Sequence, residues 1–297
     1  MDSKAFDENL TGEEVELLMR AAGSSTTFEV VKADENTDKI DEVPEDKDVP
    51  QMPDTQAFCS TLARTVLDEG PDAFVRLFEE HEKEIEEAAF WDEDVKRVLL
   101  ACFKVGIGQE NGFCACDLGG CYYTGSIFEQ DHRKAADLYE RGAAWGCRQA
   151  MINLGYVYEY GRIDEPDYER AFKCYATLAA SDEFSEALYK LGDMYARGQA
   201  VPENKQLAYD FWKSSYDVAE DIEESCQPAF RMAGARLNPN AKELYGCSFS
   251  PLNSLVLYQQ AEIGLRISVK KGMCYYEERL QQAIEGQAAA RALLDQQ

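Results

Sequence analysis

The amino-acid sequence predicts an all-α fold in which antiparallel helix pairs stack on one another. A helical sequence motif, here called the phrase, occurs three times, as KAADLYERGAAWG, RAFKCYATLAASD and LAYDFWKSSYDVA. Elsewhere the apolar residues follow helical spacing, and no segment shows the strict alternation of a strand. Because one such helix pair cannot bury its apolar face alone, repeats of this length predict a continuous stack.

A second element precedes each copy of the phrase and contains a Leu-Gly pair. The three segments read CACDLGGCYYTG, AMINLGYVYEYG and ALYKLGDMYARG, with Leu-Gly pairs 36 and 37 residues apart. A fainter fourth copy, AFRMAGARL, is followed by SLVLYQQAEIG. In the second copy Gly155 and Ala179 are small where two helices must approach, while Tyr158 and Tyr175 are bulky enough to fill the pair. Each copy therefore predicts a first helix, a turn and a return helix.

The combined pattern resembles the Sel-one-like repeat family, a relative of the tetratricopeptide repeats. The shared positions are A-x-x-x-L-G-x-x-Y-x-x-G and then K-A-x-x-x-Y-x-x-A-A-x-x-G, the second of which is closely matched at 134–146. The resemblance covers about residues 113–265 and departs from the pattern beyond about residue 220. It implies an α/α superhelical solenoid of antiparallel helix pairs that serves as an adaptor or scaffold for other macromolecules.

Composition divides the chain into four segments. Residues 1–54 carry 16 acidic and five basic side chains, and we expect a mostly disordered acidic tail. Residues 55–112 predict helices that are either a cap or degenerate repeats, and residues 113–265 hold the repeats. Residues 266–297 predict a capping helix, with 267–294 as one long helix.

The acidic tail contains one short segment with a helical pattern. Thr11 and Glu14 have capping-box spacing, and Gly23 is a plausible end. The face predicted to be apolar consists of Val15, Leu18, Met19 and Ala22. We expect a nascent helix without a partner, and the alternative is a short docking helix.

The chain is strongly acidic, with 56 acidic against 30 basic side chains and a formal net charge of −26. Such a surface repels phosphate backbones, so we expect no nucleic-acid partner. The amino-terminal residues lack a secretory pattern, and no apolar run approaches the length of a membrane span. We therefore expect a cytoplasmic protein with no membrane partner, whose ten cysteines are free thiols.

The best candidate for a metal site is the cluster of Cys114, Cys116 and Cys121, with Cys147 or His132 as a fourth ligand. One regular helix cannot aim all three thiols at one ion, because Cys116 points away from the other two. The repeat register also places Cys114 and Cys121 in packing positions. We therefore predict neither a metal site nor a cofactor.

Nucleophilic catalysis usually recruits a histidine, and the chain has two, His81 and His132. Both lie in strongly polar segments, EEHEKEIEE and QDHRK, which predicts solvated surface positions. We therefore predict no catalytic residue.

The predicted binding site lies on the first helices of the second and third copies. Its residues point away from the packing stripe and are expected to line the concave surface, where solenoids take partners. They are Asn153, Tyr156, Tyr160, Lys190, Asp193 and Arg197. Tyrosine and arginine are effective interface residues; the alternative is that the tyrosines pack against the neighbouring copy.

These observations favour a non-enzymatic adaptor that binds a protein or peptide partner. One alternative is a small-molecule or metal-dependent hydrolase on the same scaffold. Another is an acidic mimic of nucleic acid, built on the tail and the helix around 79–87, that binds a basic protein. The sequence does not specify the partner, the pathway or the oligomeric state.

Overall fold

The structure is a computed structural model and describes residues 9–23, 55–182 and 184–296. Within these ranges every regular element is a helix. The predicted all-α fold is confirmed. Apart from residues 9–23, the predicted acidic tail lies outside the described residues. The chain divides into two compact units, Met1–Ala150 and Met151–Gln297.

The first unit contains seven α-helices and one π-helical turn in its described residues. They are α1 Gly12–Ala22, α2 Thr55–Arg64, the π turn Thr65–Glu69, α3 Pro71–Glu80, α4 Glu82–Trp91, α5 Glu93–Gly108, α6 Gly112–Thr124 and α7 His132–Ala144. The rings of Phe74 and Phe78 meet Phe103 edge to face at 5.0 and 5.1 Å, which joins α3 to α5. Asp92 caps α5, because its Oδ1 accepts from the Asp94 amide at 2.9 Å.

Helix α1 has the predicted capping box. The Thr11 hydroxyl accepts from the Glu14 amide at 3.2 Å, and the Glu14 carboxylate accepts from the Thr11 amide at 2.8 Å. The other Glu14 oxygen accepts from the buried ammonium of Lys104, on α5, at 2.8 Å. An ion pair therefore ties the start of α1 to the body of the first unit.

The expectation that α1 has no partner is wrong. Leu17 and Leu18 are buried, and α1 packs against α2 and α5. Val15 and Met19, which the helical pattern assigned to the apolar face, are exposed. A helix with apolar residues on two sides buries the side that its neighbours cover, and the sequence of α1 alone does not specify those neighbours.

The second unit holds three further pairs and a terminal helix. Its elements are α8 Arg148–Glu159, which begins just before the unit boundary, α9 Tyr168–Asp182, α10 Ser185–Arg197, α11 Lys205–Val218, α12 Ile222–Leu237, α13 Ala241–Tyr245, α14 Pro251–Lys270, the 3₁₀ turn Cys274–Tyr276 and α15 Glu277–Leu294. Helix α10 packs on α11, α12 packs on α14, and α15 packs on α14. The faint fourth copy is thus a genuine helix pair, formed by α12 and α14.

The same close contact closes three of the pairs. In each, the glycine of the Leu-Gly pair faces an aromatic ring of the return helix; these glycine–aromatic joints are Gly119 with Tyr139, Gly155 with Tyr175 and Gly192 with Trp212. A β-carbon at the glycine would lie 2.7, 2.3 and 2.5 Å, respectively, from the nearest ring atom. No larger residue fits there without moving a buried ring, which explains the glycine in every copy.

The carboxyl-terminal segment was expected to be one helix over 267–294, and it is two. Helix α14 ends at Lys270, and Gly272 adopts φ +98°, a left-handed conformation that interrupts a right-handed helix. The chain then turns and continues as α15. Gly286 of α15 lies against the ring of Tyr258, so the close approach of glycine to an aromatic ring recurs outside the three joints.

None of the helices in the described ranges combines the length and the apolar composition needed to cross a bilayer.

We expect Gly155→Ala to lower the free energy of unfolding by about 1–3 kcal/mol, because the new methyl group collides with the fully buried Tyr175 ring. Gly120→Ala is the matched control, since nothing lies within 4 Å of a β-carbon there. That variant should be unchanged or more stable by up to about 1 kcal/mol. Urea unfolding followed by circular dichroism measures both; equal stability of the two variants would contradict the joint.

Candidate partner-binding surface

Helices α8, α10 and α12 of the second unit are the first helices of their pairs, and they direct polar side chains toward one another. Residues three, four and seven apart share a helix face, which explains the spacing within each helix. We call this set the polar cluster: Tyr156 and Glu159 of α8, with Tyr160 directly after it; Glu186, Tyr189, Lys190, Asp193 and Arg197 of α10; and Gln227 and Arg231 of α12. The return helices add Tyr175 and Trp212.

Lys190 is held in a cage of the chain's own side chains. Its ammonium donates to the Glu159 carboxylate at 2.9 Å and to the Tyr160 hydroxyl at 3.0 Å. It also lies 4.3, 4.9 and 5.9 Å from the ring centroids of Tyr156, Tyr160 and Tyr175, respectively. Lys190 and Glu159 are 4% and 5% exposed, so the pair is an internal ion pair.

Asp193 is the second charged centre, and it is also buried. Its Oδ1 accepts from the Trp212 indole at 3.0 Å and from the Nε of Arg231. Its Oδ2 accepts from the Nη2 of Arg231 at 2.5 Å and from the Nη2 of Arg197 at 3.5 Å. Burial favours the neutral acid, but the charge and hydrogen bonds of Arg231 outweigh it and lower the pKa of Asp193. The carboxylate is therefore ionised, and both of its oxygens have hydrogen-bond partners.

A third contact links α8 and α10. The Tyr156 hydroxyl donates to the Glu186 carboxyl and lies 3.1 Å from the Tyr189 hydroxyl. Burial raises the pKa of the Glu186 carboxyl, which the tyrosine hydrogen bonds and the nearby Lys190 charge only partly offset. Tyr156 is thus a structural link between helices, and most of its side chain lies inside the cluster.

A profile of the Sel1 repeat matches this chain at residues 112–146, 148–182 and 185–217. The chain therefore contains three Sel1 repeats. The three repeats are the α6–α7, α8–α9 and α10–α11 pairs, so α2–α5, α12, α14 and α15 lie outside the matched residues. Sel1-repeat proteins are protein-interaction scaffolds, and the scaffold is generally non-catalytic.

Two curated relatives come from Arabidopsis thaliana. The chain is 32% identical over 87 residues to the ERAD-associated E3 ubiquitin-protein ligase component HRD3A, and 33% identical over 91 residues to HRD3B. The matches cover 29% and 31% of this chain but only 13% and 14% of those proteins. The crystal structure of a Sel1 repeat protein from Oxalobacter formigenes superposes with a TM-score of 0.52 at 16% identity, over 68% of this chain and 78% of that one. This structural likeness concerns the fold.

The structure separates the six predicted binding residues by exposure. Tyr160 and Arg197, at the ends of the first helices of the second and third Sel1 repeats, are exposed. Asn153 and Tyr156 are half-buried, and Lys190 and Asp193 are buried. The last two were predicted to line the surface, and they lie inside because Glu159 and Arg231 neutralise their charges. The role of the six residues in partner binding stays a prediction.

Several residues of the polar cluster were not found from the sequence. Arg231 occupies the position, three residues before the glycine, that Cys116, Ile152 and Tyr189 fill in the matched repeats. An arginine in a packing position is a signal of a buried charge partner. The repeat pattern of the fourth copy was too weak to assign Arg231 to that position from the sequence.

The residues considered for metal binding or catalysis are mostly packed. Cys114 and Cys121 are buried, in agreement with their predicted packing positions, and burial raises the pKa of both thiols. In the described ranges, no three His, Cys, Asp or Glu side chains form a group that could hold a metal ion. The predicted surface position of His81 is wrong, since this residue is buried at the junction of α3 and α4.

Lys190→Met should lower the free energy of unfolding by about 3–5 kcal/mol, because the buried Glu159 carboxylate loses its buried cation and keeps only the exposed Arg197, 3.8 Å away. The double variant Lys190→Met with Glu159→Gln removes both charges and should recover most of the loss. Urea unfolding of the wild type, both single variants and the double variant forms a thermodynamic cycle. Additive losses would show that the two charges do not interact.

Asp193→Asn should be most destabilising at neutral pH. A folded-state pKa below the ordinary value of about 3.9 contributes stability above that pH, and the contribution is lost as the pH falls through the lowered folded pKa. The stability difference between wild type and variant should therefore shrink between about pH 5 and pH 2. Hydrogen exchange of the α10 and α12 amides measures it, with the exposed Asp210→Asn as control. A constant difference across this range would contradict the ion pair.

Proposed function

We propose that this protein is a non-catalytic cytoplasmic adaptor that binds a protein or peptide partner through the exposed edge of the polar cluster. Tyr160 and Arg197 make the direct contacts, and the buried members of the cluster hold these two residues in place. The observation that carries the proposal is that the side chains of Tyr160 and Arg197 are exposed and yet contact buried charged residues.

Both side chains are exposed although both are anchored. Tyr160 has 53% of its surface exposed, while its hydroxyl accepts from the buried Lys190 at 3.0 Å. The Arg197 side chain is 51% exposed and lies 3.5 and 3.8 Å from the carboxylates of Asp193 and Glu159. An anchored side chain loses less conformational entropy on binding, so such residues are favourable contact points. Tyrosine and arginine are also the types that carry most binding energy in interfaces.

The comparisons support a protein partner. Three Sel1 repeats support a role as an interaction scaffold, and two relatives are by name components of an E3 ubiquitin-protein ligase. The matched part is a small fraction of those relatives, so we take from them only the general role of a subunit that contacts other proteins.

Charge and thiol chemistry support the remaining parts of the proposal. A net charge of −26 disfavours nucleic acid as the partner. The ten cysteines are free thiols, which is typical of a reducing compartment.

We expect the double variant Tyr160→Ala with Arg197→Ala to lose most of the partner that the wild type captures from a lysate of the source cells. Mass spectrometry quantifies the captured protein at equal bait concentration, and two lost hot-spot contacts should reduce capture by at least about ten-fold. Tyr156 is a poor choice for this test because its substitution disturbs the link to Glu186.

The matched control replaces exposed residues elsewhere in the same unit, Phe249→Ala with Arg266→Ala. It should capture as much partner as the wild type. Equal capture by both double variants would refute the assignment of this surface. A partner that requires the acidic residues of 33–49, and is released by moderate salt, would instead favour the acidic-mimic alternative.

A further inference from the structure

Arg279 lies at the edge of the polar cluster and is a half-buried cation without an anionic partner. It is on α15, its Nη1 donates to the Gln227 side-chain oxygen at 3.0 Å, and its guanidinium stacks 5.2 Å from the centre of the Phe230 ring. Among the described residues, no carboxylate lies within ion-pair distance of this guanidinium. Arginines that are partly removed from water normally have such a partner.

Asp193, the acidic group whose charge acts on Arg279, has no capacity left for it. The two oxygens of Asp193 accept from the Trp212 indole, from Arg231 twice and from Arg197, which fills the roughly four lone-pair sites of a carboxylate. Arg197 is itself loosely paired, because 3.5 Å is longer than the usual charge-assisted bond of about 2.7–2.9 Å. Arg279 and Arg197 both retain unused capacity for an anion.

Three arginines lie near one another at this point. Burial lowers the pKa of the Arg279 guanidinium, and the charges of Arg231 and Arg197 lower it further, while the negative charge of Asp193 partly offsets these effects. Such a group of arginines is unusual for a chain with a net charge of −26. Arg279 and Arg197 therefore can attract an anion at short range, although the net charge of the protein repels one at long range.

Gln227 provides an independent observation. It is 5% exposed, and its side-chain oxygen accepts from Arg231 at 2.8 Å and from Arg279 at 3.0 Å. This orientation leaves its Nε2, on the same amide, buried without an acceptor in the described structure. A buried donor without an acceptor costs about 1–3 kcal/mol, and here the unused donor is beside the guanidinium that lacks an anion.

We propose that Arg279, together with Arg197, binds a carboxylate group of the partner. The guanidinium fork matches a carboxylate in two parallel hydrogen bonds, and the Gln227 amide orients the fork. The carboxylate is either an Asp or Glu side chain or a carboxyl terminus. This inference rests on the proposed adaptor function, and it predicts a partner that is not acidic overall but presents one well-placed carboxylate here.

Three short peptides distinguish the sources. They are N-acetyl-Ala-Ala-Ala with a free carboxyl terminus, N-acetyl-Ala-Glu-Ala amide, and N-acetyl-Ala-Ala-Ala amide, which has no carboxylate. The full-length protein is titrated at constant ionic strength while the NMR signals of the arginine Nε–H groups are followed. At least one of the two carboxylate peptides should shift the Arg279 signal saturably, and the uncharged peptide should not.

Arg279→Gln should weaken binding of the effective peptide by at least about ten-fold, which corresponds to one lost charge-assisted interaction. Arg279→Lys, which keeps the charge but loses the fork, should fall between this variant and the wild type. Arg291→Gln on the same helix is the matched control, because this exposed arginine lies away from the cluster, and it should bind within two-fold of the wild type. Thermal unfolding verifies that each variant is folded.

The inference is overturned if all three peptides shift the Arg279 signal equally, or if Arg279→Gln binds as the wild type does. The adaptor proposal and the carboxylate site are tested by different outcomes. If the carboxylate peptides bind through Arg279 but Tyr160→Ala with Arg197→Ala captures as much partner as the wild type, the anion site stands without that interface. If capture depends on Tyr160 and Arg197 but is unchanged by Arg279→Gln, the adaptor stands and the carboxylate site falls.

Discussion

The glycine–aromatic joint is the constraint on which the helix pairs depend. A β-carbon at Gly155 or Gly192 would lie within 2.5 Å of a buried ring, so the two helices of a pair approach as closely as they do only because this side chain is absent. The ring in turn fills the space that the short distance leaves. This reciprocal fit fixes the rotation of both helices in a pair, and so decides which residues of the first helix face away from the joint.

The joints of the second unit also position the polar cluster. The Tyr175 ring packs on Gly155, and its hydroxyl donates to Glu159 at 2.8 Å. The Trp212 ring packs on Gly192, and its indole N–H donates to Asp193 at 3.0 Å. Both aromatic residues thus pack their rings inside the helix pair and donate a hydrogen bond to a buried carboxylate. The packing of each pair therefore positions the buried ion pairs. These ion pairs in turn hold the exposed side chains of Tyr160 and Arg197.

The repeated part of the fold was predictable from the sequence because one geometry leaves the same residues at the same spacing in every copy. The sequence identified Gly155 as a position of close approach and Tyr175 as a filling residue, but only the structure shows that the two face each other. The break at Gly272 and the buried face of α1 were missed, since both depend on neighbours that occur once. In the candidate site the sequence predicted that Lys190 and Asp193 line an exposed surface, whereas both are buried. It could not predict their burial, because the opposite charges come from Glu159 and from Arg231 in the least regular copy.

Burial of these charges determines what the second unit can offer a partner. Glu159 is paired with Lys190, and Asp193 is paired with Arg231, so neither carboxylate is available to a ligand. Arg197 and Arg279, at the edge of the cluster, are incompletely paired cations. The rest of the chain carries a large negative charge, which repels acidic proteins at long range and is screened within about 10 Å at moderate salt. Such a surface discriminates by combining long-range repulsion with a short-range attraction that only a correctly placed carboxylate satisfies.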